Sequence, residues 1–92
     1  MTIVSLRGEY DLARRDELDA TLDRYGDTEP LALDLRAVER IDTVALRSLV
    51  SFQRARLAAG RTPIVLLSPS RTVRNFIEKA EAQRSFEIRD AT

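Results

Sequence analysis

The chain has 92 residues, enough for one domain and too few for two. It contains no cysteine and no histidine, which excludes disulfides, thiolate or imidazole metal sites, Cys nucleophiles and His general bases. The 15 Lys and Arg residues balance the 15 Asp and Glu residues, so the positive excess expected of a nucleic-acid binder is absent.

The 43% hydrophobic content suffices for one core. A domain this small buries about two thirds of the surface its unfolded chain exposes, and its stability is expected to be on the order of 5 kcal/mol or somewhat more. The start Met1-Thr2-Ile3-Val4-Ser5-Leu6-Arg7 lacks the long apolar stretch of a signal peptide. No apolar run approaches the ~20 residues that span a bilayer. The expectation is a soluble cytoplasmic protein with no direct membrane insertion.

Ile3-Val4-Ser5-Leu6 predicts a first strand, stopped by Gly8. Leu18, Leu22 and Tyr25 recur at helical spacing, which predicts a helix over residues 12–25 with Asp11 as N-cap and Gly26 as its stop. After Glu29-Pro30, the alternation in Leu31-Ala32-Leu33-Asp34-Leu35 predicts a second strand ending at Arg36, and residues 37–41 form a connector anchored by Val38 and Ile41. A second helix is predicted over residues 43–59, closed by Gly60. Its inner stripe is Leu46, Leu49, Val50, Gln53 and Leu57, widened by Ala45, Phe52 and Ala55. The nearly continuous apolar run of residues 62–67 predicts a strand buried on both faces. Ser68-Pro69-Ser70 breaks it and opens a third helix over residues 71–82, with Val73, Phe76, Ile77 and Ala80 inward. Phe86-Glu87-Ile88 predicts a last short strand before a polar end. The order β-α-β-α-β-α-β implies one α/β domain over residues 1–92, a mainly parallel sheet of about four strands with about three helices.

The candidate functional turn is Ile41-Asp42-Thr43-Val44-Ala45-Leu46, where the short connector after the second strand leads into the start of the second helix. Such an N-terminus carries unpaired N–H groups and partial positive charge. Asp42-Thr43 suits two jobs there: one residue caps the helix, and the other presents a hydroxyl to a partner or to a kinase. A phosphoryl group adds nearly two negative charges and can switch binding without refolding the core. Taken alone, the dipeptide is better explained by a simple cap, the commonest use of Asp or Thr before a helix. Asp11 and Asp34 are expected at strand ends on the same rim as Asp42, where capping accounts for them better than acid–base or Mg²⁺ chemistry. Arg71 and Arg74 read as the solvated face of the third helix, and Arg54, Arg56 and Arg61 as a basic cluster complementing the C-terminal dipole of the second. Phe52 and Phe76 stand at core spacing. No cofactor or metal site is indicated, and with no nucleophile–base pair available an enzyme is not expected. Lys79, the only lysine, lies inside the third helix, which also argues against a phospho-receiver domain.

Four elements, in order and register, resemble the STAS domains of anti-sigma factor antagonists: Gly8-Glu9-Tyr10-Asp11, Asp34-Leu35, Ile41-Asp42-Thr43-Val44-Ala45-Leu46-Arg47, and Ser68-Pro69-Ser70-Arg71-Thr72-Val73-Arg74. The resemblance covers nearly the whole chain. It implies a non-enzymatic switch that binds an anti-sigma factor, often a histidine-kinase-like ATPase, and is released when the kinase phosphorylates a hydroxyl in the Asp-Ser-Ser/Thr turn. By that resemblance Thr43 is the phosphoacceptor candidate, and Asp11, Asp34, Asp42, Thr43, Val44, Ala45 and Arg47 are the partner-binding candidates. The family turn offers two hydroxyls after Asp, either of which serves in different members; here the second position is Val44, and Ala45 replaces the Gly that often comes next. The resemblance also leaves open an accessory subunit of an ABC-type lipid transport system and a constitutive interaction module. Many members carry an extra strand before the Gly-Glu-x-Asp element; a bare sheet edge favours pairing with another chain, and a homodimer is one expectation.

Overall fold

The computed structural model describes residues 1–90. The two faces of each apolar pattern decide the architecture. Strands form at Thr2–Tyr10 (β1), Leu31–Ile41 (β2), Val65–Leu67 (β3) and Glu87–Arg89 (β4), and α-helices at Arg15–Arg24 (α1), Thr43–Ala58 (α2) and Arg71–Lys79 (α3). The sheet order is β1-β2-β3-β4 and every pairing is parallel. Right-handed crossovers between neighbours taken in chain order put all three helices on one face of the sheet. On that face Leu6, Leu31, Leu33, Leu35 and Leu66 meet Leu18 and Leu22 of α1, Leu46 and Leu49 of α2, and Val73 and Ile77 of α3, all buried in one cluster. On the opposite face Ala32 and Val65 are buried at the centre, so the third strand is covered on both sides there, while Ile3, Ser5, Asp34, Leu67, Glu87 and Arg89 around them are exposed or half-buried.

The two long strands overrun their predicted ends. Gly8 does not stop β1: it takes φ +83°, and the β1–β2 ladder shifts register between Ser5 and Arg7 and again between Gly8 and Glu9. The extra residues sit on β2, so the pair bends and twists rather than ending. Residues 37–41 are therefore strand rather than connector, and their anchors Val38 and Ile41 are buried strand residues. Because β3 and β4 each have three residues, β1 and β2 project beyond them as a two-stranded ribbon.

Other differences are local. Asp11 caps a short 3₁₀ turn, Leu12–Arg14, and the α-helix proper begins at Arg15. The third strand starts at Val65, not residue 62; Thr62 and Pro63 are exposed, and the N–H of buried Ile64 donates to Gln53 Oε1. In α2, Leu57 is half exposed and Ala55 lies outside, while Arg56 is 2% exposed. Arg56 is thus no dipole-complementing surface charge. Its Nε and Nη2 donate to Thr62 O (3.2 and 3.1 Å), and its Nη1 to Gly26 O (3.1 Å) and Tyr25 O (3.4 Å). It ties the end of α1 and the entry to β3 onto α2. Helix α3 ends at Lys79, leaving Ala80 exposed. The polar end expected after the last strand runs on into residues 91 and 92, outside the described residues.

Candidate functional site

The ribbon carries its last paired residues, Tyr10 and Ile41, to one rim of the molecule, and the N–H of Asp42 donates to Tyr10 O (3.0 Å). The next residue of each strand is an aspartate, and each caps the helical turn after it. Asp11 Oδ1 accepts from the Ala13 N–H (3.0 Å), and Asp42 Oδ1 from the Ala45 N–H (2.9 Å). Both have the extended backbone of an N-cap. The rim therefore brings Asp11 and Asp42 together, as the sequence predicts, with both carboxylates employed as caps.

Asp34 is elsewhere. It lies in the middle of β2 opposite Ser5, and its Oδ1 accepts from the backbone N–H of Arg36 (3.0 Å) and from Arg36 Nε (3.2 Å). Seven residues of strand carry it on the order of 20 Å from Ile41. The expected shared rim fails for this residue because β2 runs on past Arg36.

Around the turn, the helix separates neighbouring side chains. Thr43, the first residue of α2, is exposed and lines a groove of about 460 Å³ with Arg40, Ile41, Asp42, Thr72, Asn75, Phe76 and Lys79. Val44 is half-buried and lines a different groove, about 380 Å³, between α1 and α2, with Arg15, Asp19, Leu22, Asp23, Arg47, Ser48, Ser51, Phe52 and Ala55. Ala45 is 2% exposed and belongs to the core. Arg47 is exposed on the Val44 side. Thus Thr43 and Arg47 open on different grooves.

The cations beside Thr43 are Arg40 and Lys79. Arg40 pairs with Glu9 across the ribbon (2.8 Å). Sequence reasoning placed Lys79 only inside a helix, yet Thr72, Asn75, Phe76 and Lys79 stand at i, i+3, i+4 and i+7, one face of α3. That spacing was the available signal. The same holds for Val44, Arg47, Ser48, Ser51 and Ala55 on α2. Arg74, on another side of α3, pairs with Asp90 (2.7 Å).

The Gly8-Glu9-Tyr10-Asp11 element has a physical basis at this rim. Arg14 Nη1 donates to Arg7 O (2.9 Å) and Glu9 O (3.0 Å), its guanidinium lies 4.0 Å from the Tyr10 ring centre, and Glu17 accepts from its Nε. That hydrogen bond to Glu17 raises the pKa of Arg14 further above its ordinary value. A Cβ on Gly8 would come within 3.1 Å of Arg14 Nη1, at a φ that side chains rarely adopt. Glycine is needed so that the arginine can close over the strand.

Among the described residues no group of three or more His, Cys, Asp or Glu side chains is placed to hold a metal ion, and no helix is long and apolar enough to cross a membrane.

The model of the STAS domain family matches residues 1–92. No curated protein matches. Three solved structures share the fold. A proposed anti-sigma factor antagonist of Thermotoga maritima superposes with a TM-score of 0.82 at 21% identity, over 97% of this chain and 80% of that one. A sulfate transporter family protein from Wolinella succinogenes gives 0.75 at 19% identity, over 96% and 75%. The anti-sigma factor antagonist SpoIIAA in its unphosphorylated form gives 0.71 at 18% identity, over 98% and 79%.

Proposed function

The chain belongs to the STAS domain family, and on that premise we propose that it is an anti-sigma factor antagonist whose binding to an anti-sigma factor of the histidine-kinase-like ATPase type is switched by phosphorylation of Thr43. The observation that carries the reading is an exposed threonine hydroxyl on the first residue of a helix capped by Asp42, set between two grooves. The partner covers the rim formed by Asp11, Asp42, Thr43, Val44 and Arg47. A phosphoryl group on Thr43 would sit at the positive end of α2 beside Arg40 and Lys79, so the modified chain keeps its fold while its surface charge changes. Similarity of fold to two antagonist proteins supports this reading. The domain then acts as substrate and binding switch rather than as an enzyme.

The test is incubation with the cognate kinase and ATP, followed by mass spectrometry of wild type and Thr43→Ala. Label on Thr43 that disappears in the variant is the expected result; label that persists in Thr43→Ala removes Thr43 from the role. A second reading, an accessory subunit of an ABC-type lipid transport system, draws on the sequence of the turn, Asp42-Thr43 followed by the small residues Val44 and Ala45. Co-purification separates the two, because a transporter ATPase as the main captured protein would sink the antagonist reading.

A further inference from the structure

The sheet has two edges, and they are managed differently. Strand β4 has three residues, and its Glu87 and Arg89 pair with each other, so that edge is short and charged. Strand β1 has nine residues. Its backbone direction is set by its hydrogen bonds. The Thr2 N–H donates to Pro30 O and Tyr10 O accepts from the Asp42 N–H, so the even-numbered residues face β2. The odd-numbered residues, Ile3, Ser5, Arg7 and Glu9, turn their N–H and C=O groups away from β2. Arg14 covers the carbonyls of Arg7 and Glu9, which agrees with that phase and closes the far half of the edge. The near half, from Thr2 to Leu6, has no such cover among the described residues. Met1 is 61% and Ile3 55% exposed beside it.

We propose that two copies of the chain join through this open half-edge, the segments Thr2–Leu6 pairing antiparallel about a two-fold axis at Val4. Ile3 of one copy then lies opposite Ser5 of the other, and the two pairs exchange four N–H···O bonds. The occupant is a second copy for three reasons. The outward groups of Ile3 and Ser5 are self-complementary about Val4. The segment Thr2-Ile3-Val4-Ser5-Leu6 carries no charged side chain, so no like side-chain charges meet within the paired stretch. The guanidinium of Arg14 limits the incoming strand to about the length that a two-fold partner supplies. The formal net charge of zero adds no long-range repulsion. The two sheets fuse into one, and the Asp42-Thr43 turns, at the opposite end of the strands, stay free. So short an interface is weak and concentration-dependent, well below the roughly 1,200 Å² of a stable complex.

Sedimentation equilibrium of the whole chain tests this up to about 1 mM. The wild type is expected to move from one chain mass towards twice that mass, and Ser5→Pro is expected to stay monomeric with its melting temperature nearly unchanged. Proline is tolerated there because the Ser5 N–H points outward and takes no part in the β1–β2 ladder. A wild type that remains monomeric throughout, or a folded Ser5→Pro that associates like wild type, overturns the proposal. Should Ser5→Pro fail to fold, amide shifts of the wild type on dilution decide. Changes centred on residues 2–6 are expected, and association with changes only elsewhere refutes the pairing.

Discussion

Replacing Arg56 by methionine removes one buried cation of nearly unchanged length. In the native chain its guanidinium makes four hydrogen bonds to three carbonyl oxygens, and among the described residues no carboxylate pairs with it. Burial holds its pKa below the ordinary arginine value, with the field of Glu29 opposing that fall. Two costs compete. Desolvating a cation costs several kcal/mol, and the variant recovers that. Against this, each carbonyl left without a donor costs about 1–3 kcal/mol where water cannot reach it. Thr62 is exposed and Tyr25 and Gly26 are half-buried, so the low end applies. The native bonds to the carbonyls already offset the desolvation of the cation, so losing those bonds cancels the recovery. What is left is three orphaned carbonyls at about 1 kcal/mol each, a net loss of about 3 kcal/mol. That is a large share of a stability on the order of 5 kcal/mol. Lysine at the same position reaches fewer carbonyls and is expected to lose roughly half as much. Urea denaturation followed by circular dichroism measures both variants. An Arg56→Met protein as stable as wild type, or more stable, would show that desolvation outweighs the carbonyl contacts and would refute the reasoning.

Gly8→Ala should cost about 1–2 kcal/mol, from a positive φ and crowding against Arg14; an unchanged melting temperature would show that the strand can relax. Asp42→Ala should cost about 1 kcal/mol by removing the cap on the Ala45 N–H, and Asp42→Asn much less, as read in urea; equal losses would mean that charge rather than capping matters. Glu29 accepts the Thr62 N–H at 2.7 Å, and this bond lowers its pKa below 4.5. Its contribution is therefore present above about pH 4.5 and lost as the pH falls through the lowered folded value. Glu29→Gln should flatten that acid limb in a pH series of melts, and an identical acid limb in the variant would count against the assignment.

The helices and the core were legible because their signals are local. The start of α2 is marked by Asp42 before an apolar stripe, and the start of α3 by Ser70 after the break at Ser68-Pro69. The true lengths of β1 and β2 were hidden by their bulges: Gly8 and the stretch Arg36 to Arg40, where the ladder shifts register, break the alternation that marks a strand. That error carried Asp34 to the wrong place. Arg56 was misread for another reason. An arginine inside an apolar stripe is normally solvated, and the three carbonyls that hold it come from residues 25, 26 and 62, which local sequence does not bring together. The grooves flanking Thr43 and Val44 depended on the same tertiary placement, although the helical faces that line them were present in the spacing.

The division between those two neighbours makes a last prediction about the proposed switch. Adjacent residues on a helix point about 100° apart. A phosphoryl group on Thr43 therefore falls on the Arg40 and Lys79 side, while Val44 keeps an apolar contact in the α1–α2 groove. At the first residue of α2 the added negative charge is favourable, by about 0.3–1 kcal/mol. Phosphorylated protein should melt at the same temperature as the unmodified chain or slightly above it, while losing its partner. Release would then come from charge and bulk at the contact, not from loosening of the helix. Val44→Asp, which puts charge into the other groove without the phosphoryl position, should weaken binding without any kinase. A phosphorylated chain that melts markedly lower would show that the modification acts by unfolding the start of α2, and the grooves would lose their part in the explanation.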